Sequence, residues 1–297
     1  MKKLLFLAPI AALWLTSLTA PANDLKIVAA ENFYGGVAQE IAGPDATVTS
    51  ILTNPNQDPH EFTTNAETAK AVADADIVIY NGISYDPWMG KLLATGGKPD
   101  RVVIKVSDLI GAKEGDNPHI WYDPRTMPAL AAKLVEVLSK IDPDQSTADQ
   151  KWLEVFNKSM KIELDLIAKI KAEAAGMNVT ATEPVFGYMA DALGFKMLNY
   201  DFQLKIMNDA EPTAAQTAEF EKSITSKNVK ILFYNSQVTD PITERMQKIA
   251  REAKIPVIGV TETQPLDQKR YFTWMLTELL QVKAALKLQK ISAENHP

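Results

Sequence analysis

The sequence contains no cysteine. That excludes a disulfide scaffold, thiolate metal sites, a thiol nucleophile and a lipid-modified N-terminal cysteine. It also lacks any basic run. Its 37 acidic residues outnumber 31 basic ones, giving a net charge of −6, which argues against nucleic acid and anionic membranes as main partners. No Gly-x-Ser-x-Gly elbow, phosphate-binding loop or dinucleotide fingerprint occurs. His60-Glu61 opens like a zinc-protease helix, but Thr64 stands where the second histidine would be. What is present is an ordinary globular composition, 46% hydrophobic and 23% charged, which excludes disordered, collagenous and coiled-coil classes.

The one long apolar run is at the start. Lys2 and Lys3 precede Leu4 to Leu18, and Ala20-Pro21-Ala22 follows as a small-x-small pattern. This reads as a secretory signal peptide, residues 1–22. The run is short for a bilayer span and holds Pro9. Its removal takes two lysines and no acid, leaving a net charge of −8. The expected product is an exported, soluble, periplasmic monomer with no stable membrane insertion.

Short apolar runs then alternate with helical patterns. Leu25–Ala30, Ala46–Leu52, Ile77–Tyr80 and Val102–Val106 read as buried parallel strands, with helices over Tyr34–Ala42 and Ala66–Ala73. The plan repeats. Ile27-Val-Ala-Ala-Glu31 resembles Val179-Thr-Ala-Thr-Glu183 at an offset of 152, and Asp76-Ile-Val-Ile-Tyr80-Asn81 resembles Lys230-Ile-Leu-Phe-Tyr234-Asn235. The fold class is therefore α/β, in two similar lobes. Each lobe is a mainly parallel sheet flanked by helices. Between them, Ser146 to Ala175 holds no Gly or Pro, and Ser146 with Asp149 reads as a capping-box start. Trp152, Val155, Phe156, Met160, Leu164, Ile167 and Ile170 recur at helical steps. One long rigid helix, a rod of roughly 45 Å, is expected here. The domains are then 23–145, a linking helix 146–175, and 176–297.

Ligands of open α/β sheets sit beyond the carboxyl ends of strands, so the cleft between the lobes is the expected site. Of three histidines, His296 is next to last. His60 lies in Asp58-Pro59-His60-Glu61-Phe62 and His119 in Asn117-Pro118-His119-Ile120-Trp121-Tyr122-Asp123-Pro124. Both follow proline, which fixes φ and lowers the ordering cost of a loop ligand. Neutral imidazole is the commonest metal ligand.

These two motifs resemble those of the zinc/manganese-type solute-binding proteins of bacterial ABC importers. The resemblance continues through Phe186-Gly187-Tyr188 and around Tyr271–Trp274, and covers nearly the whole mature chain. It implies two α/β lobes joined by one long helix, a divalent metal in the cleft, and an ABC permease as partner. It also implies four ligand positions: His60 and His119 from the first lobe, Glu183 and Glu262 from the second, with Asp267 as the fallback for Glu262. Zinc members commonly have His at the third position and manganese members Glu. Many zinc members carry a His-rich loop before the second motif. Here that place holds Gly111-Ala-Lys-Glu-Gly-Asp116.

Two imidazoles and two carboxylates leave a near-neutral site around M²⁺. Carboxylates bind through one or two oxygens, which suits Mn²⁺, with Zn²⁺ or Fe²⁺ also admitted; raw affinity favours Zn²⁺ over Mn²⁺. Asp58 or Asp123 is expected to orient a ligand imidazole, Asp123 having a turn or helix cap as its other reading. Glu31 is a candidate for the cleft wall. Trp88, Trp121 and Trp274 read as core or wall. The expectation is a carrier, not an enzyme. A metallohydrolase with an open coordination position and an adhesin are the competing classes.

Overall fold

The computed structural model describes residues 25–54, 57, 62–238 and 240–295. The signal segment, Asp58, His60, Glu61 and His296 lie outside them.

The first lobe runs β1 (Leu25–Glu31), α1 (Asn32–Ala42), β2 (Ala46–Leu52), α2 (Ala66–Asp74), β3 (Ile77–Tyr80), α3 (Pro87–Ala94), β4 (Val102–Lys105), α4 (Val106–Ile110) and α5 (Thr126–Ile141). The linking helix is α6 (Ser146–Ala174). The second lobe runs β5 (Asn178–Ala181), α7 (Gly187–Ala192), β6 (Lys196–Leu198), α8 (Tyr200–Met207), α9 (Ala214–Thr225), β7 (Leu232–Asn235), α10 (Pro241–Glu252), β8 (Val257–Val260) and α11 (Tyr271–Asn295).

Both sheets are parallel and share one order, β2-β1-β3-β4 and β6-β5-β7-β8. The position of each strand follows from its residues. β1 buries every residue from Ile27 to Glu31 and is central, whereas β2 alternates partly buried and exposed positions and is an edge; a strand covered on both faces must be apolar throughout. The strand order reverses direction between β1 and β3, and again between β5 and β7. A crevice therefore opens at their carboxyl ends.

The outer face of each sheet has its own apolar cluster. Val28, Val78, Trp88 and Met89 pack in one, and Phe202, Phe220, Leu232 and Met246 in the other. The inner faces share a third cluster, which runs from Ile27 and Trp121 through Phe156 and Ile167 on α6 to Phe186, Phe233 and Trp274. A core continuous across both lobes resists large rotation between them, since opening it would expose apolar surface. Among the described residues no helix is long and apolar enough to cross a membrane.

Two details of α6 differ from the sequence reading. Its start carries no side-chain cap from Ser146; Asp142 instead accepts Asp144 N–H in the 3₁₀ turn Pro143–Gln145 that precedes it. The buried stripe is Phe156, Met160, Glu163, Ile167, Ile170 and Ala174, while Trp152, Val155 and Leu164 are exposed. A carboxyl occupies the middle of the apolar face.

Candidate metal centre

The two glutamates sit just past strand ends, and His119 in a loop that opens a 3₁₀ turn. Glu183 follows β5 and precedes the 3₁₀ turn Pro184–Phe186, whose first-turn proline stiffens the exit. Glu262 follows β8. His119 follows α4 in the Asn117-Pro118 loop and opens the 3₁₀ turn Ile120–Tyr122. All three are buried, His119 being 1% exposed, Glu183 7% and Glu262 9%.

His119 Nε2 lies 3.8 Å from Glu262 Oε1, across the lobe boundary. Tyr85 O–H donates to that same oxygen at 3.0 Å. Asn235, at the end of β7, aims one amide nitrogen at both carboxylates. Its Nδ2 is 3.0 Å from Glu262 Oε2 and 3.4 Å from Glu183 Oε2. The structure thus brings together His119, Glu183 and Glu262. Asp267 is exposed at the surface.

The imidazole is fixed by Asn117. Asn117 Oδ1 accepts the His119 backbone N–H at 3.1 Å and lies 2.7 Å from Nδ1. An amide oxygen only accepts, so Nδ1 carries the proton and Nε2 presents its lone pair to the cleft. Asp123, a sequence candidate for this task, does something else. It accepts Arg125 N–H and forks with the Arg125 guanidinium, 2.6 Å at the shortest, which makes it a turn residue.

Asn117 also reaches the second lobe. Its Nδ2 donates to Pro184 O at 2.7 Å, and its carbonyl accepts Tyr188 O–H at 2.9 Å. This explains the Phe186-Gly187-Tyr188 stretch: a Cβ on Gly187 would stand 2.8 Å from Asn117 Nδ2, closer than packing allows. Further ties cross the boundary. Tyr122 Oη is 2.7 Å from both Thr261 O and Glu278 Oε2, Tyr271 O–H donates to Trp121 O, and Asn32 donates to Gln264 O.

Beneath the first lobe's edge is a second acid pair. Glu31 is fully buried beside Asp86, which accepts the N–H groups of Asn81 and Gly82 at 2.6 and 2.8 Å. Burial, then the Asp86 charge, hold the Glu31 carboxyl well above its usual range; burial pushes Asp86 up to about 6. Glu31 is buried at the carboxyl end of β1, where its charge also bears on Tyr85. Trp121 and Trp274 are buried, and the Trp121 ring meets His119 edge-on at 5.2 Å.

The family described as "ZnuA: Zinc-uptake complex component A periplasmic" matches residues 27–285. The chain belongs to this family. Among curated relatives, the metal ABC transporter substrate-binding lipoprotein SloC of Streptococcus mutans is 26% identical over 271 residues, 86% of each chain. The manganese ABC transporter substrate-binding lipoprotein PsaA of Streptococcus pneumoniae is 27% identical over 268 residues, 84% of each. Among solved structures, the Mn-bound periplasmic metal binding protein from Candidatus Liberibacter asiaticus superimposes with a TM-score of 0.73. It is 19% identical, over 89% of this chain and all of that one, and supports the two-lobe fold.

One pair of these side chains, His119 and Glu262, stands close enough to touch one divalent ion. Metal–nitrogen and metal–oxygen bonds are each about 2.1 Å, so one ion spans the 3.8 Å between His119 Nε2 and Glu262 Oε1. Among the described residues no group of three or more His, Cys, Asp and Glu is placed to hold a metal ion. The fourth candidate, His60, lies outside them. Asn117, Asn235 and Tyr85 went unassigned from sequence. Asn117 stands there only as the first letter of the second histidine motif, and Asn235 as the partner of Asn81 in the Tyr-Asn repeat.

Proposed function

We propose that this protein captures one divalent transition metal between its lobes in the periplasm and delivers it to an ABC permease. His60 and His119 hold the ion from the first lobe, and Glu183 and Glu262 from the second. The observation that carries this reading is that Glu183 and Glu262 of the second lobe meet at the amide of Asn235, with His119 of the first lobe 3.8 Å from Glu262. The ligand set favours Mn²⁺, with Zn²⁺ and Fe²⁺ as competitors.

No covalent chemistry is needed. A binder surrounds its ion with protein groups, whereas a metallohydrolase keeps a position open for water. Buried ligands and a cleft tied by Tyr85, Asn117 and Tyr122 across the lobes support the first arrangement. Release then requires the permease to part these bonds.

Native mass spectrometry of protein recovered by osmotic shock, without added metal, tests capture and export together. The expected mass is that of a chain beginning at Asn23 plus one divalent ion, and competition between Mn²⁺ and Zn²⁺ then ranks them. A chain that takes up no ion, or that turns over phosphate or carboxylic esters when loaded, overturns the reading.

A further inference from the structure

Tyr122 makes two contacts that its single phenol hydrogen does not complete. Its Oη lies 2.7 Å from Thr261 O and 2.7 Å from Glu278 Oε2. Both are the lengths of full O–H···O hydrogen bonds. A phenol has one hydrogen to give, and a peptide carbonyl has none. The second contact therefore needs a hydrogen on Glu278. Without it, lone pairs would face each other at 2.7 Å in the interior, where Tyr122 is fully buried and Glu278 4% exposed.

The other oxygen of Glu278 shows where that hydrogen sits. Oε1 accepts Thr261 N–H at 3.0 Å and the Trp274 indole N–H at 3.0 Å. Facing two N–H donors, it acts only as an acceptor. The proton belongs on Oε2, pointing at Tyr122. The charged and titratable neighbours agree with a neutral acid. The turn after His119 brings Asp123, α6 brings Glu163, α1 brings Tyr34 and Glu40, the exit of β8 brings Glu262, and α11 itself carries Arg270 and Tyr271. Arg270 is paired with Glu40 and Arg125 with Asp123, both at the surface, and the lysines of α6 and α11 are exposed. Among the described residues of these elements no buried cation offsets a charge on Glu278. Burial pushes its carboxyl up to about 7.

The place of this acid gives it a task. Tyr122 closes the 3₁₀ turn that His119 opens, and Thr261 immediately precedes Glu262. Glu278 holds the Thr261 N–H directly and the Thr261 carbonyl through Tyr122. We infer that Glu278 is a neutral acid and a positioning residue of the metal site: its Oε2–H donates to Tyr122, which frees the phenol hydrogen for Thr261 O and fixes the backbone ahead of Glu262 against the turn after His119. What is positioned rests on the metal reading above; where the proton sits does not.

Infrared spectra of the metal-free protein at pH 6 read the proton, since a solvated glutamate is ionised there. Glu278→Gln should lack a carboxylic-acid C=O band that the wild type shows; loss of a carboxylate band instead overturns the inference. Tyr122→Phe should keep the acid band and shift it, because the acid O–H loses its acceptor. An unshifted band overturns the pairing with Tyr122. Zn²⁺ affinity at the same pH reads the positioning. Glutamine offers a donor toward Tyr122 and an acceptor toward Thr261 and Trp274, so Glu278→Gln should bind Zn²⁺ as tightly as wild type. Glu278→Met, equally uncharged, should bind about fivefold more weakly, which is what one hydrogen bond is worth. Equal affinity in the two variants overturns the positioning role. A wild-type protein that takes up no Zn²⁺ removes the metal reading itself, while the acid band still decides the proton.

Discussion

Loading the metal-free protein with Zn²⁺ or Mn²⁺ at about a thousand times its Kd should stabilise it by about 4 kcal/mol, a rise in melting temperature of roughly 8 °C for a chain of this size. His119→Ala and Glu183→Ala should each abolish most of that rise. The two variants act differently on the empty protein. Glu183→Ala takes one acid out of a buried pair that shares the Asn235 amide, which relieves like-charge repulsion. Its metal-free form should therefore melt no lower than wild type by more than a degree or two. His119→Ala instead leaves Asn117 Oδ1 without the imidazole it faces at 2.7 Å and should cost about 1 kcal/mol. Because the ligands must shed protons to bind, the metal-induced rise should shrink as pH falls. A Glu183→Ala protein that responds to metal as strongly as wild type contradicts the ligand assignment.

Glu163→Met should stabilise the protein, and increasingly so as pH rises. Glu163 lies mid-way along α6, is fully buried, and neither of its oxygens has a hydrogen-bond partner. Burial pushes its carboxyl up to about 8. Between its ordinary value near 4.5 and 8, the folded chain keeps a proton that the unfolded chain releases. Wild-type stability must then decline as pH climbs through that window and level off above it. Methionine fills a similar volume and carries no proton, so the variant loses this slope. The gain should grow by about 3 kcal/mol from pH 5 to pH 8. Glu278, raised by burial to about 7, and Asp86, raised to about 6, bend the wild-type curve in the same direction. For that reason the difference between wild type and variant, measured by denaturant unfolding at each pH, is the quantity to follow. A difference that stays constant with pH, or a less stable variant, would falsify the account of Glu163.

Much of the fold is legible because burial imposes a pattern on sequence. β1 and β3 are buried parallel strands, and their apolar runs stand out. α6 lacks any helix breaker over its 29 residues. β6, Lys196–Leu198, has only three residues, one of them exposed, too little for any period to register. The face of α6 was harder to read. Apolar residues lie on more than one side of it, and only packing decides that Phe156 and Met160 go in while Val155 and Leu164 stay out. Glu163 then falls on the buried stripe, where a polar letter breaks the pattern rather than announcing it.

At the site, the residue types that hold metals can be named from sequence, because few side chains do that chemistry. Their helpers cannot. Asn117, Asn235 and Tyr85 are ordinary letters whose roles depend on a hydrogen bond's length and direction. Asp123 shows the converse: a residue suited to orienting an imidazole that pairs with Arg125 two positions on. The reach of Asn117 across to Pro184 joins residues 67 positions apart, a distance that no local pattern encodes.

The proposed function reduces to one ion touched by both lobes. Crystals grown from protein loaded with Zn²⁺ or Mn²⁺, with data collected above and below the metal's absorption edge, locate that ion without reference to any assumption about ligands. One anomalous peak is expected, lying between His119 Nε2 and Glu262 Oε1, with Glu183 and His60 completing its shell. A peak held by one lobe alone, or one remote from His119, would contradict it.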